Sequence, residues 1–263
     1  MEPSLNPHHK DNLDVINPED REVNQFRVKT IFDSSGGLAT KYKSFMVGEG
    51  SWWSLIKYEV IVTFFGWIPG AFGLFLRSIF YPFLFKKVGK KVIFGRDMII
   101  RSPHKIIIGD RVFIDDGVSL DAKGGTNQGI RIGNDVFIGQ GSILQAKNGD
   151  IALEDEVNIS YYSTLTSTTL LRIGSRTFIG PYCLLMSGGE HDYLSDDMGV
   201  GDCLPLEIGS DCWIAAKVVI LQNCHIGNHS VIGANSLVNS PIPPDSIAVG
   251  TPARVIKSLP KKE

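Results

Sequence analysis

What this chain of 263 residues has little of narrows it first. It contains four cysteines and no Cys-x-x-Cys pair, which argues against a disulfide framework and points to a reducing, cytoplasmic setting. Its formal net charge is only −2, so no broad positive field recruits nucleic acid, and none is expected as a partner. The first residues show no basic stretch leading into an apolar run, so no secretory signal is expected there. Nor does any uncharged apolar run reach the roughly 20 residues that a spanning helix needs.

What is present is a beat. Aliphatic residues recur every six positions in the groups Ile108, Ile114, Leu120; Ile132, Ile138, Leu144; Leu153, Ile159, Leu165; and Ile173, Ile179, Leu185. The run from Ile208 through Ile214, Ile220, Ile226 and Ile232 to Val238 keeps the step of six unbroken. Neither a 3.6-residue helix nor alternating hairpin strands sustain this period. Four residues after each post stands a small or β-branched residue, among them Val112, Val136, Ser163, Thr177, Cys183, Cys212 and Cys224. That register makes Cys183, Cys212 and Cys224 inert core residues, with Cys203 alone outside it. Glycine often follows the post, as at Gly133 and Gly174, where a missing Cβ is expected to let the chain turn. Three posts to a coil describe a triangular parallel β-helix, an all-β solenoid.

At this point the sequence resembles the hexapeptide-repeat acyltransferases, and within them the sugar and polysaccharide O-acetyltransferases. The likeness runs from about Ile93 to Lys257 and is strongest in DCWIAAKVVILQNCHIGNHSVIGANSLVNSPIPPDSIAVGTPARVIK. The Trp-Ile-small-small turn, the Ile-Gly-Ala-x-Ser turn and the closing Gly-x-Pro-Ala-Arg-Val-Ile carry it. The resemblance implies a left-handed β-helix, an exception to the right-handed crossover rule. It also implies a homotrimer with the acyl donor, acetyl-CoA, lying in the cleft between two prisms. On the donor side it implies Trp213 beside the thioester, backbone groups of Ala215 and Ala216 toward pantetheine, Gly233 and Ala234 close to the ligand, and Arg254 near a phosphate. Two positions depart from the family pattern: Asn239-Ser240 replaces a common Thr-Lys, and Ala215 replaces the usual glycine after Trp-Ile.

The beat breaks most widely between Leu185 and Ile208, a step of twenty-three. The segment Ser-Gly-Gly-Glu-His-Asp-Tyr opens that gap. Acyl transfer to a hydroxyl or amine needs a group that accepts the acceptor's proton near neutral pH, and imidazole suits it. The resemblance makes His191 the general base for direct attack, with no covalent enzyme intermediate. The group that orients it is left open among Asp192, Glu190, Asp196, Asp197 and a backbone carbonyl. Tyr162, one coil earlier, and Asp192 are candidate acceptor-side residues. His225 and His229 look like a ligand pair, as in the left-handed β-helices that are carbonic anhydrases, but no third histidine joins them at a neighbouring coil. They are read as exposed corner residues, and no metal is expected.

Ahead of the prism stands SWWSLIKYEVIVTFFGWIPGAFGLFLRSIFYPFLFKK, apolar and without the beat. Pro69-Gly70 breaks it, and Lys86, Lys87, Lys90 and Lys91 follow. Two short helices, a break and a basic cluster suit a peripheral or re-entrant membrane contact through residues 52–85; the bland alternative buries them against the prism or in an oligomer. The expected organisation is a polar arm over 1–50, an apolar helical segment over 51–91, the β-helix over 92–240 and a tail over 241–263. The expected function is acetyl-CoA-dependent O- or N-transfer to a sugar of a lipid-linked or surface polysaccharide precursor, at the inner face of the membrane. The alternatives are transfer to a small soluble acceptor and a non-catalytic scaffold.

Overall fold

The computed structural model describes residues 37–188, 191–192, 199–200 and 204–260. Among these, short strands wind into three sheets of seven, nine and seven strands that form the sides of a triangular prism. Face 1 holds strands such as Ile106–Ile108 and Leu206–Ile208, face 2 Phe113–Ile114 and Trp213–Ile214, and face 3 Leu184–Ser187 and Val219–Ile220. Each strand pairs in parallel with its counterpart one coil away: Ile108 with Ile132, Ile114 with Ile138, Leu120 with Leu144. The coil matches the left-handed β-helix that the resemblance implies. Within the three prism sheets, among the described residues, only the last strand, Ala253–Ser258, runs antiparallel, closing against Ser246–Gly250. The chain beyond residue 241 thereby adds to face 2, through Val231 opposite Ile247.

The posts form the core. Every aliphatic in the six-residue series is at most 2% exposed. The small residues four positions later, from Val112 to Ser236, are buried as well. Cys183, Cys212 and Cys224 are free and buried, and burial raises all three thiols, Cys224 to about 11. A stack of identical coils buries each post against the one above and below, which is why a bare hexad suffices to specify the interior.

The glycines after the posts serve a different purpose from the one expected. Gly133 and Gly174 are not among the positive-φ residues. A Cβ on Gly174 would lie 2.6 Å from the Gly209 carbonyl carbon, and one on Gly133 would lie 2.7 Å from that of Glu154. Stacking of the next coil, not the turn, requires them to be bare. The left-handed corners are carried by larger residues: Arg111, Asp135, Arg176, Asp211, His229 and Asp245 between faces 1 and 2, and Tyr162, Tyr182, Lys217 and Asn235 between faces 2 and 3. Such a backbone costs a side-chain-bearing residue about 1–2 kcal/mol. Each corner N–H recovers a hydrogen bond to the preceding coil, as from Arg176 to the Asp155 carbonyl and from Tyr182 to that of Tyr161. The first corner also bears a ladder of exposed to half-buried pairs, Arg111–Asp135, Arg176–Asp211 at 2.8 Å and His229–Asp245 at 2.8 Å. The Arg111 guanidinium holds the Asp135 carboxyl below the usual carboxylate range.

Three helices, α1 (Leu38–Val47), α2 (Trp52–Phe65) and α3 (Gly70–Phe80), cover the first coil. Leu55, Tyr58 and Ile61 turn one side of α2 inward, and the Tyr58 hydroxyl donates to the Ile100 carbonyl at 2.9 Å. Arg77 of α3 is only 1% exposed. Its guanidinium donates to the carbonyls of Phe94 (2.9 Å), Ile68 (2.7 Å) and Phe65 (3.2 Å), pinning the Pro69-Gly70 break to the prism. The opposite side stays bare: Trp53, Phe64, Trp67, Phe72, Phe75 and Phe83 are each at least 60% exposed. One face of the segment packs on the prism, as the second expectation had it, and the other is uncovered. Among the described residues no helix is long and apolar enough to cross a membrane.

Candidate functional site

The interruption of the beat leaves face 3 after Ser187 and rejoins face 1 at Leu206. Its ends are tied together at the root. Ser187 Oγ lies 2.9 Å from Ser167 Oγ and 3.2 Å from Thr169 Oγ1. Thr169 Oγ1 also donates to the Leu204 carbonyl at 3.1 Å, and Leu204 N–H donates to Gln222 Oε1 at 3.3 Å. Ser167 and Ser187 are at most 1% exposed, where an unmade hydrogen bond is expensive. These hydroxyls were missed in the sequence because Ser and Thr also fill the small inward slots; an extra run of them on the strand below the gap was the available signal. Within the gap, His191 and Asp192 pair antiparallel with Val200 and Gly199 as a short ribbon. The side chains of His191 and Asp192 lie outside the described residues, as do Glu190, Asp196, Asp197 and Cys203.

The donor-side candidates gather on face 2. Trp213 is 58% exposed and stands in register between Phe178 and Val231. The turn after it is largely satisfied already. Ala215 N–H donates to the Ile232 carbonyl, the Ala215 carbonyl accepts from the Cys183 thiol, and the Ala216 carbonyl accepts from Asn235 N–H. Of the four backbone groups of Ala215 and Ala216, only the Ala216 N–H makes no hydrogen bond among the described residues. Gly233 is one coil above, but the room its missing side chain leaves is taken by Val249, whose Cγ1 would lie 2.6 Å from a Cβ there. Ala234 is exposed. Arg254 pairs across from Val249, is exposed, and donates Nη1 to the Ala253 carbonyl at 2.8 Å. Residues 213–216 and 233–234 thus stand on successive coils at one end of face 2, with Arg254 two strands further along the same sheet.

Tyr162 lies below that surface, at the corner between faces 2 and 3. Its ring stacks on Tyr182, with centroids 5.5 Å apart and planes 15° apart, and both are about half exposed. Tyr182 was not singled out in the sequence; its place at the same corner one coil later was the signal. His225 and His229 do not meet. His225 Nδ1 is 3.8 Å from Glu207, and His229 closes the corner pair with Asp245. Among the described residues no group of three His, Cys, Asp or Glu side chains could hold a metal.

The geometry splits the candidates. In a three-sided prism the corner between faces 3 and 1, where the His191 loop is rooted, is the vertex opposite face 2. Within one chain the root of the loop and the Trp213 surface therefore point away from each other.

Comparison with known proteins accords with this architecture. Residues 205–240 match the family model described as bacterial transferase hexapeptide (six repeats). That stretch of the chain thus carries the bacterial transferase hexapeptide repeat. It is 26% identical over 213 residues to the "Putative colanic acid biosynthesis acetyltransferase WcaF" of Escherichia coli, covering 81% of this chain and 87% of that one. It is 33% identical over 101 residues to a "Putative acetyltransferase" of Schizosaccharomyces pombe, covering 38% of this chain and 49% of that protein. The chain spans about half the length of several curated relatives it matches. Among solved structures it is similar to AntD, an N-acyltransferase from Bacillus cereus in complex with dTDP-4-amino-4,6-dideoxyglucose and coenzyme A. That similarity has a TM-score of 0.50 at 19% identity and covers 70% of this chain and 90% of that one; it speaks to the fold.

Proposed function

We propose that the protein is an acetyl-CoA-dependent acetyltransferase that modifies a sugar of a lipid-linked or surface polysaccharide precursor, working as a homotrimer at the inner face of a membrane. The observation that carries the activity is the likeness to WcaF, which extends along 87% of that acetyltransferase rather than the repeat alone. The apolar helical face supports an acceptor presented on lipid.

The reaction needs a base, a donor seat and a way to bring them together. His191 takes the proton of the acceptor hydroxyl as its oxygen attacks the thioester carbonyl. The tetrahedral intermediate collapses, the C–S bond breaks, and the imidazolium returns the proton to the departing CoA thiolate. The acetyl ester and CoA are the products. Trp213 flanks the thioester, and the Ala216 N–H is the backbone donor left for the pantetheine arm. Arg254 serves a phosphate at the nucleotide end. Ala234 lets the donor lie close, while the space at Gly233 belongs to Val249. Tyr162 and Tyr182 offer an aromatic surface to the acceptor ring, and Asp192 is the further acceptor-side residue.

Because the loop root and the Trp213 surface lie on opposite sides of one prism, a neighbouring copy supplies the missing half in a closed ring. Two variants test this together: His191→Ala and Trp213→Ala, each weak alone, expressed in the same cell. Mixed trimers contain a cleft with both residues intact, so transfer to the acceptor should recover to a sizeable fraction of wild type. If mixed preparations are no more active than the single variants, each prism works alone and the shared cleft is wrong.

A further inference from the structure

A small cavity of about 230 Å³ lies where α2, the segment after α3 and the first coil meet. Ser54, Lys57 and Tyr58 line it from α2, Phe83 and Lys86 from beyond α3, and His104 from the prism. It is smaller than the roughly 300–1,000 Å³ that encloses a drug-sized molecule, so it suits a phosphate-sized group and excludes a nucleotide. Its charge is positive. Lys57 donates to the Phe83 carbonyl at 2.6 Å, which occupies one of the three donors an ammonium carries. Lys86 makes no side-chain hydrogen bond among the described residues. Burial, then Lys105 and Lys86, lower the His104 pKa against the pull of Glu49. His104 is therefore a neutral hydrogen-bonding group at pH 7, and the lysines carry the charge.

The cavity opens at the rim of the bare apolar face. Lys57 sits among Trp53, Ile56, Val60 and Phe64, all exposed and three or four positions apart on α2. Phe83 both lines the cavity and is 61% exposed. Lys87, Lys90 and Lys91, all exposed, follow closely in the chain. An apolar face with a cationic, phosphate-sized recess at its edge is complementary to an amphiphile with the same two parts. We propose that this cavity receives the phosphate of an anionic lipid whose hydrocarbon lies along the exposed face of α2 and α3. The proposal rests on the lipid-side reading of the helices given above, and it adds a defined headgroup site to it.

Full-length protein would be sedimented with phosphatidylcholine vesicles containing or lacking phosphatidic acid. Wild type should bind the anionic vesicles. The pair Lys57→Gln/Lys86→Gln should weaken that binding at least tenfold more than Lys90→Gln/Lys91→Gln, which removes the same charge outside the cavity. Equal losses from the two pairs would mean a diffuse field and no site, and no loss from the cavity pair would likewise overturn the proposal. Inorganic phosphate and dihexanoyl phosphatidic acid would be compared as thermal stabilisers. The lipid should act at far lower concentration, and equal action by free phosphate would assign the cavity to a soluble phosphate instead. The cavity pair should leave the stabilisation by coenzyme A unchanged. Absence of CoA stabilisation in wild type would count against the acyl-transfer reading and leave the vesicle result standing.

Discussion

Replacing Arg77 by methionine should undock the helical cap while leaving most of the prism intact. The Arg77 side chain is 1% exposed and joins three carbonyls on three segments: Phe65 at the end of α2, Ile68 in the break, and Phe94 in the first coil. Desolvation lowers the Arg77 pKa, so burying that charge is itself unfavourable, and methionine removes this penalty. What remains is three buried acceptors without a donor, at about 1–3 kcal/mol each. Water reaching some of them and the relief of desolvation reduce the net effect to about 3 kcal/mol. That corresponds to a roughly 150-fold larger opening constant for the cap. Amide hydrogen exchange read by mass spectrometry should show residues 55–81 losing protection by about that factor, with coils from Ile130 onward unchanged, because a solenoid opens locally. Arg77→Lys should fall between, since one ammonium cannot span three segments. Unchanged exchange in α2 and α3 of the methionine variant would refute the role given to the guanidinium.

Other expectations follow from the same geometry. Gly174→Ala should destabilise the prism by about 2–3 kcal/mol through collision with the next coil. Gly117→Ala, with φ +67 and no atom nearer than 4.0 Å, should cost only about 1 kcal/mol; denaturant unfolding of both variants checks the order. In a Cys203→Ser background, Cys183, Cys212 and Cys224 should ignore a thiol reagent at pH 8 and react on unfolding. Because their folded pKa values are raised, Cys224 to about 11, the thiol contribution to stability should be complete at neutral pH. It should be lost as pH rises past the unfolded thiol value of about 8.5, visible as a falling Tm. Thr169→Val should lower turnover while shifting global stability by only about 1 kcal/mol, since it loosens the root of the His191 loop; equal turnover would separate that root from catalysis.

The interior of the prism was legible because each post repeats a single environment, so Ile108, Ile132 and Leu153 announce the same slot. The corners were not. Arg111, Tyr162 and Asn235 share a left-handed backbone but no side-chain property, because the hydrogen bond to the coil below, not the side chain, holds the conformation. Glycine was read by its usual freedom at turns, whereas Gly133 and Gly174 are needed for approach between coils, a relation about 20 or more residues apart that local pattern does not carry. Arg77, a lone charge within the apolar segment, is the clasp of the cap. Trp213 and the turns around it were picked out by local motif, and the register sets them on successive coils of face 2. That the His191 loop is rooted at the opposite vertex depends on which face follows which, so it emerges only once the coil is closed.

The central claim, acetyl transfer with His191 as base, is tested most directly with radiolabelled acetyl-CoA and the membrane glycolipids and glycans of the source cells. Wild-type protein should place label on a sugar of that fraction and release CoA in equal amount. His191→Ala should retain CoA binding, judged by thermal stabilisation, yet transfer label roughly 10²–10⁴-fold more slowly. No label from wild type, or undiminished transfer by the His191 variant, would contradict the account.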